Sequence, residues 1–201
     1  GYTNTLVPFV GGFPFENLPG MRKFNQADRK RRQGEVFGTV ALGETLALGL
    51  NVNYSEDDYN NSQFGLTFSR VNGYNLDLNW APSDNGALYA FYAVERYKSD
   101  QDSRSWANAT RPITSVDPNR NWTTRTRDDV DTWGIGANSR FLEDKLTVGL
   151  DHVVARTDAD TSTSTGPALT SLPLPTNQTD LTSTSIYGDY VWSKDITLRL
   201  R

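Results

Sequence analysis

The sequence contains no cysteine and a single histidine, His152, among its 201 residues. The lack of cysteine excludes disulfides, thiolate metal sites and covalent haem attachment within this chain. One histidine cannot form a His pair for a metal, and it leaves any Ser/His/Asp set with only one candidate base. We therefore expect no catalytic centre and no metal or cofactor site, and we interpret His152 as a strand residue at a membrane interface.

Long apolar runs are also missing. No stretch of about eighteen apolar residues occurs, and the mean hydropathy is -0.58, which together exclude a helical membrane protein. The net charge of -4 gives no dominant field of one sign. A polar average remains compatible with a transmembrane β-barrel, because only half of each strand must be apolar there.

Strict alternation of apolar and polar residues is what the chain does contain. Leu46, Leu48, Leu50, Val52 and Tyr54 are separated by alanine, glycine and asparagine, and a period of two residues is typical of a strand. Similar patterns occupy residues 74–80, 88–94, 133–138, 146–151 and 196–201. About ten residues suffice for a tilted strand to cross a bilayer. The sequence predicts an all-β, antiparallel, up-and-down transmembrane barrel with about eight strands in this segment.

The predicted connections are of two kinds. Short turns are expected at residues 43–44, 82–86, 142–144 and 193–195. Long polar loops are expected at residues 56–70, 98–127 and 158–181. Barrels of the bacterial outer membrane have short periplasmic turns and long extracellular loops, so the pattern predicts both that location and the orientation.

The predicted organisation is an irregular basic loop segment at residues 1–33, followed by hairpins of a single barrel domain at residues 34–201. The last strand, from Ile196, still alternates where the sequence stops. An unpaired strand edge is costly in lipid, so we expect this chain to be a piece of a larger barrel, truncated at both ends.

The two faces of the predicted strands have different compositions. The polar face is too polar for a packed soluble core and is expected to line a wet or protein-filled lumen. Its expected residues are Gly49, Asn51, Asn53, Asn75, Asp77, Asn79, Gly136, Gly149, Asp151 and Arg199. Aromatic residues near the strand ends are expected to form two membrane-interface girdles. They are Tyr54, Trp80, Tyr97, Trp133, Phe141 and Trp192.

Three charged clusters invite a functional interpretation. The basic run Arg22–Arg32 suggests lipid headgroups or the acidic surface of a partner, with a solvated segment before the first strand as the alternative. No nucleic-acid-binding module accompanies it. Residues 56–58 form an acidic cluster that would suit calcium, although a solvated loop is the simpler interpretation. The same applies to the aspartates at positions 128, 129 and 131, with Arg125 and Arg127 close enough to neutralise them.

Several short segments, in this order and spacing, resemble the MtrB/PioB family of outer-membrane barrels associated with decahaem cytochromes. The segments are Phe24–Arg29, Leu48–Leu50, Tyr54–Tyr59, Gly65–Thr67, Trp80–Ser83, Leu88–Tyr92, Lys145–Asp151, Leu172–Pro175 and Tyr187–Tyr190. The resemblance extends from about Arg22 to the end of the sequence.

The resemblance implies a large barrel that sheathes a periplasmic multihaem c-type cytochrome and supports extracellular electron transfer. In that picture the barrel insulates the haem chain and has no redox centre of its own, because the haem is carried by the partner. An extracellular multihaem cytochrome would be a further partner, besides the lipid of the outer membrane. The small residues of the polar face would then permit close approach of the cytochrome.

Two other functions remain open from the residues. A diffusion porin or substrate channel would need a constriction loop, and residues 98–127 offer one. Its arginines would be Arg104, Arg111, Arg120, Arg125 and Arg127. A surface adhesin or receptor would instead bind an external partner through its long loops. An outer-membrane hydrolase is disfavoured by the lack of histidine.

Overall fold

Eight strands form one antiparallel sheet in chain order. The computed structural model describes residues 20–21, 24–25, 27–59, 61–108 and 116–201. The strands are β1 Lys30–Ala41, β2 Leu46–Asp58, β3 Gly65–Ser83, β4 Gly86–Trp106, β5 Val116–Phe141, β6 Leu146–Thr165, β7 Asn177–Ser193 and β8 Ile196–Leu200. Each strand pairs with its sequence neighbours, so the predicted all-β up-and-down architecture is confirmed.

No helix in the described ranges is long and apolar enough to cross a membrane.

The short turns lie where the alternation predicts them. They connect the strands through residues 42–45, 84–85, 142–145 and 194–195. In the third turn Leu142, Glu143 and Asp144 all have a left-handed backbone with φ between 56° and 68°. Arg140 braces this turn, since its side chain lies 3.4 Å from the Asp144 carboxylate and also donates to the backbone oxygen of Asp84 in the neighbouring turn.

The long loops are shorter than predicted. Strand pairing continues well beyond the apolar part of each strand, so the connections between strands shrink to residues 59–64, 107–115 and 166–176. The physical reason is that threonine, serine and oppositely charged side chains pair well across strands even when both faces are polar. Similarly, β1 begins at Lys30, so residues 30–33 belong to the sheet instead of the predicted loop segment. Residues 1–19 of that segment lie outside the described ranges.

The strands are staggered by a constant step. One row of paired residues runs through Leu46, Trp80, Leu88, Ala137, Leu150 and Ile186. β2 begins on this row, β4 begins two residues before it at Gly86, and β6 begins four residues before it at Leu146. When the short turns are set at one level, each strand is shifted by one residue relative to the next. With a rise of about 3.3 Å per residue and a strand spacing of about 4.8 Å, this shift corresponds to a strand tilt of about 35° from the barrel axis. Membrane-spanning barrels have such a tilt.

The register divides the side chains into two faces, because directly opposite residues of an antiparallel pair point to the same side. The apolar face carries Leu48, Leu50, Leu76, Leu78, Tyr92, Trp133, Ile135, Leu150, Ile186 and Leu198. These side chains are exposed: Leu50 retains 51% of its accessible surface and Ile135 53%. Burying one such side chain contributes about 1.5–3 kcal/mol, so this face is stable in lipid and not in water.

The hydrophobic core within the sheet is minimal. Among the described residues the buried hydrophobic side chains are Tyr59 and Phe64, both in the connection between β2 and β3. Among the described strands, extensive contacts join sheet neighbours alone, and at one end of the sheet a bridge joins Met21 to Phe64 of the β2–β3 connection. β1 and β8 each pair on one side only, which leaves the sheet open.

Candidate functional site

All ten residues predicted for the lumen lie on one face of the sheet, the polar face. Register brings them together in rows: Gly49 opposes Asp77, Asn51 opposes Asn75, and Asn79 shares a row with Asp151 through β4 and β5. The remaining members follow from the same alternation. They are Asn53, Gly136, Gly149 and Arg199.

Side chains of the opposite strand cover the glycines of the polar face. Tyr89 lies over Gly136 and Tyr187 lies over Gly149, so a Cβ at either glycine would overlap the aromatic ring. Phe91 covers the neighbouring Gly134 in the same way. These glycines therefore leave no hollows for a partner, unlike the close approach expected from their size. They let aromatic rings of the neighbouring strand pack directly over the backbone.

Hydrogen bonds tie the polar side chains of this face to one another. The Tyr89 hydroxyl donates to Asp151 Oδ1 at 2.6 Å, and Ser185 Oγ reaches Oδ2 of the same carboxylate at 3.5 Å. Near the short turns, Arg199 holds Asp189 with two bonds of 2.7 and 3.1 Å. Farther along, the Asn51 amide donates to Glu35 Oε1 at 2.7 Å. Such cross-strand bonds fix the side chains of the wall in place.

Because Tyr89 covers Gly136, we expect valine to destabilise the barrel more at Gly136 than at Gly188. Gly136→Val would displace the Tyr89 ring and pull its hydroxyl away from Asp151, so we expect a loss of about 1–3 kcal/mol of barrel stability. Gly188→Val is the matched control, because a Cβ at Gly188 meets only the backbone oxygen of Thr147 at 3.9 Å. The urea midpoint of the folded, full-length barrel measures both, and equal midpoints for the two variants would contradict the covering role of Tyr89.

Five of the six predicted interface aromatics share the apolar face. Trp80, Phe141 and Trp192 lie near the short turns, whereas Tyr54 and Trp133 lie toward the other end. This distribution fits the two expected girdles.

The sixth aromatic, Tyr97, lies on the polar face, where it opposes Val71 and Asp128. Its expected place among the lipid-facing aromatics is therefore wrong. At this level of β4 the side chains on the apolar side of the sheet are those of Arg96 and Lys98, the two neighbours of Tyr97 in sequence.

The acidic residues Glu56 and Asp57 are buried ion-pair partners in β2, not a calcium loop or a solvated loop. Arg70 and Arg32 reach the two oxygens of Glu56, at 2.5 and 3.0 Å. On the opposite face, Arg31 binds Asp57 through two hydrogen bonds of 2.7 Å.

The three described arginines of the basic run after Asp28 are thus neutralised within the sheet. Arg31 and Arg32 have carboxylate partners in β2, and Arg29 lies 3.6 Å from Asp57. These arginines are not available for the lipid headgroups or acidic partner suggested by the sequence. Residues 22, 23 and 26 of the run lie outside the described ranges.

The ion pairs predict that acid weakens the pairing of β1 with β2 at the end of the two strands that is farthest from their short turn. The hydrogen bond from Arg70 holds the pKa of Glu56 below its ordinary value, and the bond from Arg31 does the same for the pKa of Asp57. A lowered carboxylate pKa stabilises the fold above the ordinary pKa of about 4, and this contribution is lost as the pH falls through the lower folded value. The pairing of Lys30 with Asp58 should therefore weaken as the pH falls below about 4.

Dipolar broadening between two spin labels measures this effect. Labels at Lys30→Cys and Asp58→Cys should lose their broadening in acid, while labels at Val40→Cys and Leu48→Cys, a pair flanked by no ion pair, should keep it. Identical behaviour of the two label pairs would refute the role of the ion pairs.

The second acidic cluster is also paired. Asp129 lies 3.1 Å from Arg127 and 3.3 Å from Arg96, and Arg96 is 3.2 Å from Asp131. The prediction that arginines neutralise these aspartates holds for Asp129 and Asp131. It does not hold for Asp128, whose Oδ1 is buried without a hydrogen-bond partner, and Arg125 lies 4.0 Å from Asp100 instead. The described residues contain no group of three or more side chains that could hold a metal ion.

The single histidine lies on the apolar face of β6. His152 Nδ1 is 2.8 Å from Thr184 Oγ1, and its ring centroid is 5.7 Å from that of Trp133. One of its polar atoms thus bonds to a threonine. His152 is a strand residue as predicted, but it lies within the apolar face, opposite Ile135, and not at the edge of that face.

The predicted constriction loop is a continuation of the wall. Arg104 lies in β4 and Arg120, Arg125 and Arg127 lie in β5, all within paired strands. Arg111 lies outside the described ranges. Among the described strands, extensive contacts join sheet neighbours alone, so no described strand lies across the polar face.

Sequence reasoning missed the aromatic members of this wall. Tyr89, Phe91 and Tyr187 were hidden because each belongs with a glycine that is distant in sequence and opposite in register. The alternation does contain a signal for them. Each is an aromatic residue at a polar-face position, directly opposite a glycine of the neighbouring strand.

Comparisons with known proteins place the chain among membrane barrels. Residues 14–201 match the family described as outer membrane beta-barrel porin, MtrB/PioB. The chain is also 31% identical over 147 residues to the outer membrane protein MtrB of Shewanella baltica (strain OS185). That match covers 73% of this chain and 20% of the relative, so the chain corresponds to about a fifth of the relative's length.

Proposed function

Because the chain belongs to the MtrB/PioB family of outer-membrane β-barrel proteins, we propose that its sheet is part of a barrel wall that encloses a multihaem c-type cytochrome. The apolar face contacts outer-membrane lipid and the polar face contacts the cytochrome. The barrel supports electron transfer across the outer membrane by holding the haem chain in place and keeping lipid away from it.

The hydrogen-bonded polar face is the observation that carries the proposal. Tyr89 and Tyr187 cover glycines, and the described strands pack extensively only against their sheet neighbours, so no described strand lies across this face. A wall with fixed side chains suits a protein-sized occupant, because little side-chain entropy is lost when such a surface is covered. A selective small-solute pore would instead need a constriction.

The charges of the wall favour a basic surface on the occupant. The ionisable groups of the polar face between its two ends are mainly carboxylates. They are Glu35, Asp77, Glu95, Asp128, Asp151 and Asp189, with Arg199 paired to the last of these and Arg140 in the same row. Complementary potentials orient the partners and speed their encounter more than they increase affinity.

The chain's own residues do not suit haem ligation. The sequence has no cysteine, and His152 lies on the apolar face, away from the proposed occupant. Haem, when present, is therefore supplied and ligated by the partner. This chain contributes the polar wall, the lipid-facing surface and the exclusion of lipid from the haem path.

Purification of the full-length protein from outer membranes in mild detergent tests the proposal. Haem staining and an absorption spectrum of the purified material should reveal a stoichiometric c-type multihaem partner. A preparation that is free of haem at every detergent strength, and that conducts ions in planar bilayers, would overturn the cytochrome sheath.

A diffusion porin is the second candidate, favoured by the family's description as a porin. The carboxylate-lined wall would then favour cations. An open, cation-selective conductance that remains after the cytochrome is bound would support the porin, whereas a conductance blocked by the cytochrome would support the sheath.

A further inference from the structure

The polar face has a hollow of about 190 Å³ between β3 and β5. Ala93 of β4 forms its floor, because this small side chain lies in one row between Asn75 of β3 and Thr132 of β5. The Asn53 side chain lies over Gly73 and forms one wall. These side chains all belong to the polar face, so the hollow, called the socket below, opens to the lumen.

The socket offers hydrogen-bond acceptors around an apolar floor. Ala93 and Val130 contribute the apolar surface. The Asn75 amide nitrogen donates to Asp77 Oδ1 at 3.3 Å, so the amide oxygen of Asn75 is available as an acceptor. Glu95 closes the socket with an exposed carboxylate that forms no ion pair and no side-chain hydrogen bond with any described residue. A cation is the partner that this carboxylate lacks.

A second carboxylate without a cation lies beside the first. Glu95 opposes Val130, and Asp128 is two residues from Val130 on the same face. Such diagonal neighbours are about 7–8 Å apart. One oxygen of Asp128 is buried and accepts no hydrogen bond from a described residue. The negative charge at this level of the wall is therefore larger than that of Glu95 alone.

The described arginines do not neutralise this pair of carboxylates. Arg31 and Arg199 lie toward the two ends of the polar face, and each has a carboxylate partner there. Arg96 is the sequence neighbour of Glu95 but lies on the other side of the sheet. Water can solvate the two carboxylates while the face is open. A protein that covers the face removes this water, and an unpaired buried carboxylate is costly, so the occupant has to supply a cation here.

We propose that the socket binds one lysine or arginine side chain of the protein that fills the lumen. The aliphatic part of this side chain lies on Ala93 and Val130, and its charged head bonds to Glu95 and to the amide oxygens. Charge complementarity selects a basic group, and the size of the hollow selects a single side chain. The inference rests on the proposed function, because it takes the occupant to be the multihaem cytochrome, and it gives that protein one fixed point of contact.

Haem retained per full-length barrel after dilution tests the socket. Glu95→Gln keeps the shape of the side chain and removes its charge, so the cytochrome should bind about tenfold more weakly. Since no described side chain bonds to Glu95, the replacement should not disturb folding. Glu35→Gln is the matched control, because Glu35 lies in the same row three strands away and already accepts a hydrogen bond from the Asn51 amide. It should change the binding less than about twofold.

A fluorescent trilysine peptide separates this result from the fate of the cytochrome. Its binding to the full-length barrel, emptied in high salt, should weaken about tenfold with Glu95→Gln and stay unchanged with Glu35→Gln. A wild-type barrel that carries no haem would contradict the cytochrome sheath, and the peptide alone would then decide on the socket. Equal responses of the two variants in either assay would indicate a diffuse acidic wall and overturn the socket. Complete displacement of the peptide by millimolar calcium would also overturn it, because the carboxylates would then belong to a metal ion.

Discussion

Arginine in place of Leu76 should prevent stable insertion of the barrel, whereas arginine in place of the adjacent Asn75 should leave it inserted. Leu76 lies midway along the apolar face of β3, between Tyr74 and Leu78. A lipid-facing arginine at the bilayer midplane costs about 2–4 kcal/mol, while a lumen-facing substitution has little effect on stability. The yield of folded, outer-membrane-localised protein measures both variants.

The two positions are neighbours on one strand, so the two variants share the introduced residue, the distance from the turns and the expression context. The face that receives the arginine differs. Asn75→Arg would also lie close to the carboxylate of Asp77, whose Oδ1 is 3.3 Å from the Asn75 amide. Loss of the folded protein with Asn75→Arg and retention with Leu76→Arg would show that the faces are assigned the wrong way round.

A tryptophan on the polar face should expel the cytochrome. Ala155 of β6 opposes Thr132 and Leu181 and has glycine and serine nearby, so the ring of Ala155→Trp would stand out from the wall. Overpacking of a fitted interface costs about 1–3 kcal/mol, so we expect about a tenfold or greater fall in haem retained per barrel.

Val154→Trp is the control for this experiment. Val154 is adjacent in sequence, lies on the apolar face and opposes Trp133, so a second tryptophan there contacts lipid near an existing aromatic. It should retain the wild-type amount of haem. If both variants retain haem fully, or both lose it equally, the polar face of β6 does not contact the cytochrome.

The alternation of side chains was enough to predict the strands, the short turns and the membership of each face. It succeeds because a membrane strand must keep one apolar face, which imposes a period of two residues from Leu46 to Tyr54. The predicted strands stopped too early because that constraint ends with the bilayer. Beyond it, threonines and ion pairs maintain the ladder, as between Arg125 and Asp100.

The candidate site was predicted less completely, because its contacts depend on register. Glu56 and Arg70 are fourteen residues apart, and Tyr89 and Gly136 are on different hairpins, yet pairing makes them neighbours. The sequence suggested a solvated loop, or else a calcium site, for Glu56, and the family resemblance implied close approach of a cytochrome at Gly136. The register replaces these with a buried ion pair and a covered glycine.

Photocrosslinking from adjacent positions tests the central claim most directly. A photoreactive amino acid is placed at Asn75 or at Leu76 of the full-length protein in its own outer membrane, and the adducts are stained for haem. A polar face that encloses the cytochrome predicts a haem-staining adduct from position 75 and none from position 76. Haem-free adducts from both positions, or haem-staining adducts from position 76, would contradict the account.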